Sequence, residues 1–221
     1  MNMFPFFHIA AGFIFLLVLA AIVWRFSSLR APIPCPTWLS WLVELDNPFF
    51  KNYRAQAIIQ HMALAPGMKV LDFGCGPGRL SIPVAKQIGP AGEVTAFDIQ
   101  PGMLKRVRAK ALAENLDNIQ ILQGGAGGVK PGRDQYDRVL LVTVLGEIPD
   151  RKAAMEEIFD SLKPGGILSV TEVIADPHFQ GRASVIRTAN SVGFMEKDFF
   201  GNRISFTINF KKPFFNPGRR P

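Results

Sequence analysis

The sequence predicts an α/β protein: a doubly wound, mostly parallel sheet that ends in an antiparallel hairpin and is preceded by one transmembrane helix. Three observations carry this. From residue 69 onward, short apolar runs alternate with segments of helical periodicity, the pattern of βαβ units that builds a parallel sheet. A bare turn, Val70-Leu71-Asp72-Phe73-Gly74-Cys75-Gly76-Pro77-Gly78, joins the first such run to the first such helix. Residues 3–24, MFPFFHIAAGFIFLLVLAAIVW, contain no charged side chain.

The chain is divided in order as follows. Ile9 to Trp24 is interrupted by nothing more polar than Gly12, and about 20 apolar helical residues span a bilayer core. A cleaved signal peptide is the rival, but no Lys or Arg precedes the run and no small-x-small site follows before Arg25. Arg25 and Arg30 flank its carboxyl end, so the positive-inside bias predicts a single-pass protein with everything after the anchor in the cytoplasm. The two cysteines, Cys35 and Cys75, suggest no disulfide framework and agree with a reducing compartment. Residues 1–30 are thus the expected anchor and 31–50 a linker. APIPCP cannot continue a helix, whereas TWLSWLVELDNPFF places Trp38, Leu39, Trp41, Leu42 and Leu45 near one helical face. That face suits the lipid interface or packing on the domain. A folded domain is expected over 51–212 and a basic tail over 213–221.

Within the domain a helix is expected at 51–62, then strands at 69–73, 93–97, 119–123, 136–142 and 167–173. Helices are expected at 79–88, 102–113, 151–162 and 182–191. The glycine-rich segment 124–135 is too short for a full crossover helix. Two β-rich stretches, GFMEKDFFGN and RISFTINFKK, follow the last helix with nothing helical between them, so they form a hairpin. Together these make a seven-stranded, Rossmann-like sheet.

Composition narrows the chemistry. The apolar fraction of 48% over 221 residues supports a sizeable core. The formal charge of +7 attracts phosphates, and beside a membrane anchor the anionic cytoplasmic leaflet suffices to explain it. Lys105, Arg106, Arg108 and Lys110 read as a solvated helix face or as a basic patch. The cysteines and the three histidines, His8, His61 and His178, make no metal motif, so no metal is expected.

In an open α/β sheet the ligand lies at the carboxyl ends of the strands. The glycine turn belongs there, although the glycines alone also fit a plain tight turn. So does Asp98, which ends the second strand 24 residues beyond Gly74, near the spacing at which a carboxylate accepts ribose hydroxyls; it also fits as a cap on the next helix. Dinucleotide-binding turns read Gly-x-Gly-x-x-Gly, whereas this one reads Gly74-x-Gly76-x-Gly78, with Asp72 two residues upstream. A carboxylate there repels phosphate and suits a ligand with a cationic amine.

These residues resemble the class I methyltransferases that use S-adenosylmethionine, in the small-molecule branch that includes quinone-precursor and phospholipid methyltransferases. The likeness covers about residues 50–212 and rests on VLDFGCGPG, VTAFD, YDRVLLVTVLGEIPD and LKPGGILSVTE in order. It implies that Asp72, Gly74, Cys75, Gly76 and Gly78 line the methionine end of the cofactor, that Asp98 holds the ribose, and that Ile99 and Met103 flank the adenine. One departure stands out: many relatives carry an acid after the third strand, where this chain reads Gly124-Gly125-Ala126. The Ala126 amide is then left to contact adenine, with weaker cofactor binding expected.

Glu147 and His178 fall where the family's acceptor pocket opens and are the candidate catalytic residues; a helix cap and a surface histidine are their plainer explanations. Base-amino methyltransferases typically carry Asn/Asp-Pro-Pro-Tyr/Phe after strand four. Leu145-Gly146-Glu147-Ile148-Pro149 stands there, which argues against nucleic acid. The expected reaction is methyl transfer to a small, lipophilic, membrane-associated acceptor. The alternatives are a non-catalytic S-adenosylmethionine-binding module and an NAD-dependent oxidoreductase.

Overall fold

The computed structural model describes residues 50–214, together with residues 8, 12, 15, 16, 19, 35–37 and 44. A 3-10 turn at Lys51–Tyr53 leads into α1 (Ala55–His61), β1 (Lys69–Phe73), α2 (Ser81–Ile88), β2 (Glu93–Asp98), α3 (Pro101–Ala113) and β3 (Ile119–Gln123). Then come β4 (Tyr136–Val142), α4 (Arg151–Ser161), β5 (Leu162–Val173), α5 (Arg182–Asn190), β6 (Met195–Gly201) and β7 (Ser205–Lys211).

The seven strands form one sheet in the order β3-β2-β1-β4-β5-β7-β6. All pairs are parallel except those of β7, which runs antiparallel to both β5 and β6. Successive residues of β1 serve opposite faces, as strand geometry requires. Leu71 and Phe73 join Val139, Leu141, Met155, Ile158 and Val185 on the side of α4 and α5, whereas Val70 joins Ile58, Val84, Ile88 and Leu140 on the side of α1 and α2. Helices cover both faces, which is why the central strands read as unbroken apolar runs. Truncating a fully buried leucine such as Leu71 or Leu141 to alanine costs about 2–5 kcal/mol.

Besides shifts of a single residue at element ends, three elements differ from the sequence expectation. The helix expected over 51–62 is broken at Arg54, whose extended backbone (φ −64°, ψ 141°) separates the 3-10 turn from α1. α2 starts at Ser81 rather than residue 79, so Pro83 falls in its first turn, where no backbone donor is needed. β5 starts at Leu162 rather than 167, because Leu162 pairs with Tyr136 ahead of a register shift. The segment 124–135 carries no helix. Lys105, Arg106 and Arg108 are solvent-exposed, a solvated helix face.

The expected anchor, the interfacial helix and the basic tail lie largely outside the described residues. Those described between 8 and 19 are helical, and Phe15, Leu16 and Leu19 expose large apolar side chains. No helix among the described residues is long and apolar enough to cross a membrane.

Candidate active site

Strand order reverses between β1 and β4, and the turn after β1 faces the loop after β4 across that crevice. Gly74, Gly76 and Gly78 all have positive φ (76°, 51° and 84°), which side chains resist. Their surroundings differ. A Cβ at Gly74 would stand 2.5 Å from Val144 Cγ2, one at Gly78 would stand 3.1 Å from Val107 Cγ2, and one at Gly76 would meet nothing within 4 Å. The outer two glycines let the turn pack; the middle one leaves main chain open to a ligand.

The turn is pinned from several sides. The Gly74 and Cys75 amides donate to the Phe97 carbonyl at 2.8 and 3.0 Å. The Asp98 carboxylate accepts the Gly76 amide at 2.9 Å and the Gln100 amide at 2.8 Å, so it closes a turn onto Gln100 and does not cap α3, whose N-cap is Gln100. Lys110 Nζ donates to the Pro77 carbonyl at 2.9 Å and pairs with Glu44 at 2.8 Å. Burial raises the Asp98 pKa and that of the Cys75 thiol. Asp72 is buried under α2, where it accepts the Ser81 hydroxyl at 2.6 Å; burial pushes it up to about 6.

Farther along the crevice, Ile99 is 58% exposed while Met103 is 2% exposed and sealed inside. A Cβ at Gly125 would lie 3.2 Å from Ile99 Cδ1, so the loop after β3 runs beside Ile99. Ala126 is exposed on it. An adenosine with a charged tail fits this cradle: open backbone at Gly76, a carboxylate at Asp98 with lone pairs to spare, and an apolar face at Ile99.

Glu147 and His178 come together. A Cβ at Gly146 would overlap the His178 carbonyl oxygen, so glycine at 146 is what lets the loop after β5 lie on the loop after β4. His178 Nδ1 stands 3.7 Å from Glu147 Oε1 and 3.8 Å from Asp176 Oδ1, too far for hydrogen bonds. Both ring nitrogens are buried without a partner. Burial, aided by the Arg151 charge, lowers the His178 pKa, which favours the neutral ring. Burial, with Asp176 and Asp98 adding, pushes Glu147 up to about 8. The cap of α4 is Asp150, which accepts the Ala153 amide at 2.9 Å, leaving Glu147 free of that duty.

Further residues that sequence reasoning passed over close the site. Glu172 is 1% exposed, and burial pushes it up to about 8, with Asp176 and Glu147 adding to the shift. Tyr53 meets the Thr143 side chain, and burial raises its phenol. Arg79 donates to the Tyr53 carbonyl and lies over the Tyr53 ring at 4.3 Å. Thr143 holds a positive φ of 54°, a strained backbone at the end of β4. The linker residue Cys35 is near enough to feel the Glu147 and Asp176 charges, and its carbonyl accepts Gln100 Nε2 at 3.0 Å. Among the described residues no three His, Cys, Asp or Glu side chains converge as metal ligands. A surface cleft of about 570 Å³, lined by Gly89, Glu93 and Asn118, lies at the opposite, amino ends of the strands.

Residues 70–166 match the family profile described as a methyltransferase domain. The chain is 33% identical over 120 residues to the demethylmenaquinone methyltransferase of Listeria monocytogenes serotype 4a (strain HCC23), covering 54% of this chain and 50% of that protein. It is 36% identical over 110 residues to that of Staphylococcus carnosus (strain TM300), covering 50% and 45%. The chain thus spans about half the length of the curated relatives it matches. Among solved structures, a SAM-dependent methyltransferase from Aquifex aeolicus superposes with a TM-score of 0.71 at 18% identity, covering 80% of this chain and 99% of the other. The cyclase SpnF superposes at 0.64 and 17% identity, covering 72% and 80%. These likenesses establish the fold.

Proposed function

We propose that the protein transfers a methyl group from S-adenosylmethionine to a small, lipophilic acceptor at a membrane surface. The observation that carries this is the meeting of Glu147 and His178 at 3.7 Å, at the carboxyl ends of the strands that also present the glycine turn and Asp98. S-adenosylmethionine supplies a methyl group on a sulfonium, a leaving group that becomes neutral. The chain itself has to bind, orient and manage protons. Asp98 and the Gly76 backbone hold the nucleoside, and Ile99 offers the adenine an apolar face. Neutral His178 accepts a proton from the acceptor, while Glu147, protonated near neutrality, donates a hydrogen bond to it.

The lipophilic acceptor is supported by what the relatives are named for, demethylmenaquinone methylation, and by the uncharged run at 3–24. We place residues 1–30 in the membrane as a single-pass anchor and the methyltransferase domain, 51–212, in the cytoplasm. An anchored domain meets membrane-dissolved molecules at high local concentration. A second reading, a binding module without transferase activity, is favoured by the absent acid at Gly125.

Calorimetric titration with S-adenosylhomocysteine and with NAD, followed by a labelled-methyl assay on membrane extract, tests the proposal. Binding of the first ligand alone and label in an extracted lipid product are expected. Binding without any labelled product supports the module; binding of NAD alone overturns both.

A further inference from the structure

We infer that Lys110 is a positioning residue of the cofactor site and that it couples the linker to the glycine turn. This rests on the reading of that turn as the cradle of S-adenosylmethionine. Lys110 Nζ donates to the Pro77 carbonyl at 2.9 Å and pairs with Glu44 Oε1 at 2.8 Å. Pro77 stands between Gly76 and Gly78, whose φ values are 51° and 84°, and proline brings no amide of its own. The peptide plane that joins Pro77 to Gly78 is held at both of its polar groups: the Gly78 amide donates to the Cys75 carbonyl at 3.0 Å, and the Pro77 carbonyl accepts Lys110. That plane lies one residue beyond Gly76, the position left open to a ligand.

The sequence of α3 puts a cation there. Leu104, Val107 and Ala111 form its buried stripe, and Lys110 follows Val107 by three residues, a neighbouring place on the helix surface. A Cβ at Gly78 would stand 3.1 Å from Val107 Cγ2, so one face of α3 packs on Gly78 and tethers Pro77. Lys105, Arg106 and Arg108 are exposed, whereas the Lys110 side chain is only 34% exposed. An exposed ion pair by itself adds little. A charged donor on a main-chain carbonyl makes the stronger bond, and here one ammonium group makes both.

The linker meets this helix at three described places, in order. The Cys35 carbonyl accepts Gln100 Nε2 at 3.0 Å. A Cβ at Gly102 would stand 2.8 Å from Thr37 Cγ2, so glycine there makes room for Thr37. Glu44 then reaches Lys110, about 15 Å beyond Gln100 on a helix that rises 1.5 Å per residue. At the first place the linker touches the residue whose amide the Asp98 carboxylate accepts; at the last it touches the ion that holds Pro77. Both parts of the nucleoside cradle, Asp98 and the glycine turn, are thus one residue removed from the linker. Linker docking and cofactor binding favour the same turn, and such coupling is reciprocal.

The test is calorimetric titration of the full chain with S-adenosylhomocysteine, beside thermal melts without ligand. Lys110→Met keeps the length of the side chain and loses its donors; affinity is expected to fall about three- to tenfold, with the melting temperature near the parent's. Lys110→Arg, which keeps charge and donors, is expected to recover most of the affinity. Glu44→Gln is expected to lose less than Lys110→Met, and the double variant no more than Lys110→Met, because Glu44 acts through the lysine. Lys105→Met removes an equal charge from the same helix and is expected to bind as the parent does. Unchanged affinity in Lys110→Met, an equal loss in Lys105→Met, or losses at Glu44 and Lys110 that simply add overturns the inference. Should Lys110→Met melt far below the parent, Glu44→Gln decides: lost affinity supports the coupling and parent-like affinity overturns it. A parent chain that does not bind S-adenosylhomocysteine overturns the cofactor reading instead.

Discussion

The Asp98 carboxylate accepts the amide of Gly76 at 2.9 Å, so the acid that ends β2 holds the turn that follows β1. On the proposed reading, one side chain would serve both the ligand and the loop that contacts it. Asp98→Ala is expected to weaken S-adenosylhomocysteine binding by about 1.5–3 kcal/mol for the charge-assisted contact, and further because Gly76 is released. Asp98→Asn keeps an acceptor oxygen for one of the two amides and is expected to fall between parent and alanine. Calorimetry on the three proteins checks the order; equal affinities would remove Asp98 from the site.

The glycines separate stability from binding. Alanine at Gly74 combines a φ of 76° with a contact of 2.5 Å to Val144, so Gly74→Ala is expected to lose more than about 2 kcal/mol of folding stability. At Gly76 the position is open, and only left-handed strain of about 1–2 kcal/mol applies. Gly76→Ala is expected to stay folded yet lose cofactor affinity, since the methyl group occupies the ligand's approach. Thermal melts beside binding titrations read the two effects separately.

Folding stability should fall with rising pH. Glu147 and Glu172 rise from an ordinary 4.5 to about 8, and Asp72 rises from 3.8 to about 6. For acids raised on folding, the stabilising contribution is complete below the unfolded value and is lost as pH climbs to the folded one. The slope is at most about 1.4 kcal/mol per pH unit for each group. His178, whose pKa is lowered, carries the opposite sign and disfavours the fold only in acid, below its ordinary 6.5. Denaturant midpoints are therefore expected to fall between pH 5 and 8, with a shallower decline in Glu172→Gln. A flat profile in the parent would contradict the burial of these acids.

Gly125→Asp restores an acid beside Ile99. The new Cβ would sit 3.2 Å from Ile99 Cδ1, a contact the end of a flexible side chain relieves by a small shift. Cofactor binding is expected to tighten by about 1.5–3 kcal/mol before strain, through the adenine amino group. Inosine-type analogues, which carry an oxygen there, should gain nothing. A folded variant that binds both no better than the parent would place the adenine elsewhere.

Much of the fold was legible because its signals are local. KVLDF, a run bounded by a turn, gave β1 at both ends, and the hairpin followed from two strands with no helix between them. The break at Arg54 carries no glycine or proline and is imposed by tertiary contacts that draw Tyr53 into the crevice. The five residues added to β5 read as a turn, Pro164-Gly165-Gly166, and pair only because Tyr136 lies alongside. At the site, Glu147 and His178 were visible by their places after the strands. Glu172 was overlooked although a lone carboxylate inside the otherwise uncharged strand Ile167–Val173 is itself a signal, since charge is buried in a core only with a reason. Tyr53, Arg79 and Asp176 had no such mark; their meeting is a property of the folded chain.

Because β7 lies between β5 and β6, the strand of this sheet that is synthesised last is an interior one. Phe206, Ile208 and Phe210 are fully buried there, and until residue 211 has left the ribosome β5 presents an open edge of unpaired amides and carbonyls. The nascent domain must therefore wait, its centre incomplete while everything before it has already emerged. During that interval the exposed edge is a surface for chaperones, or for another nascent chain in the same state.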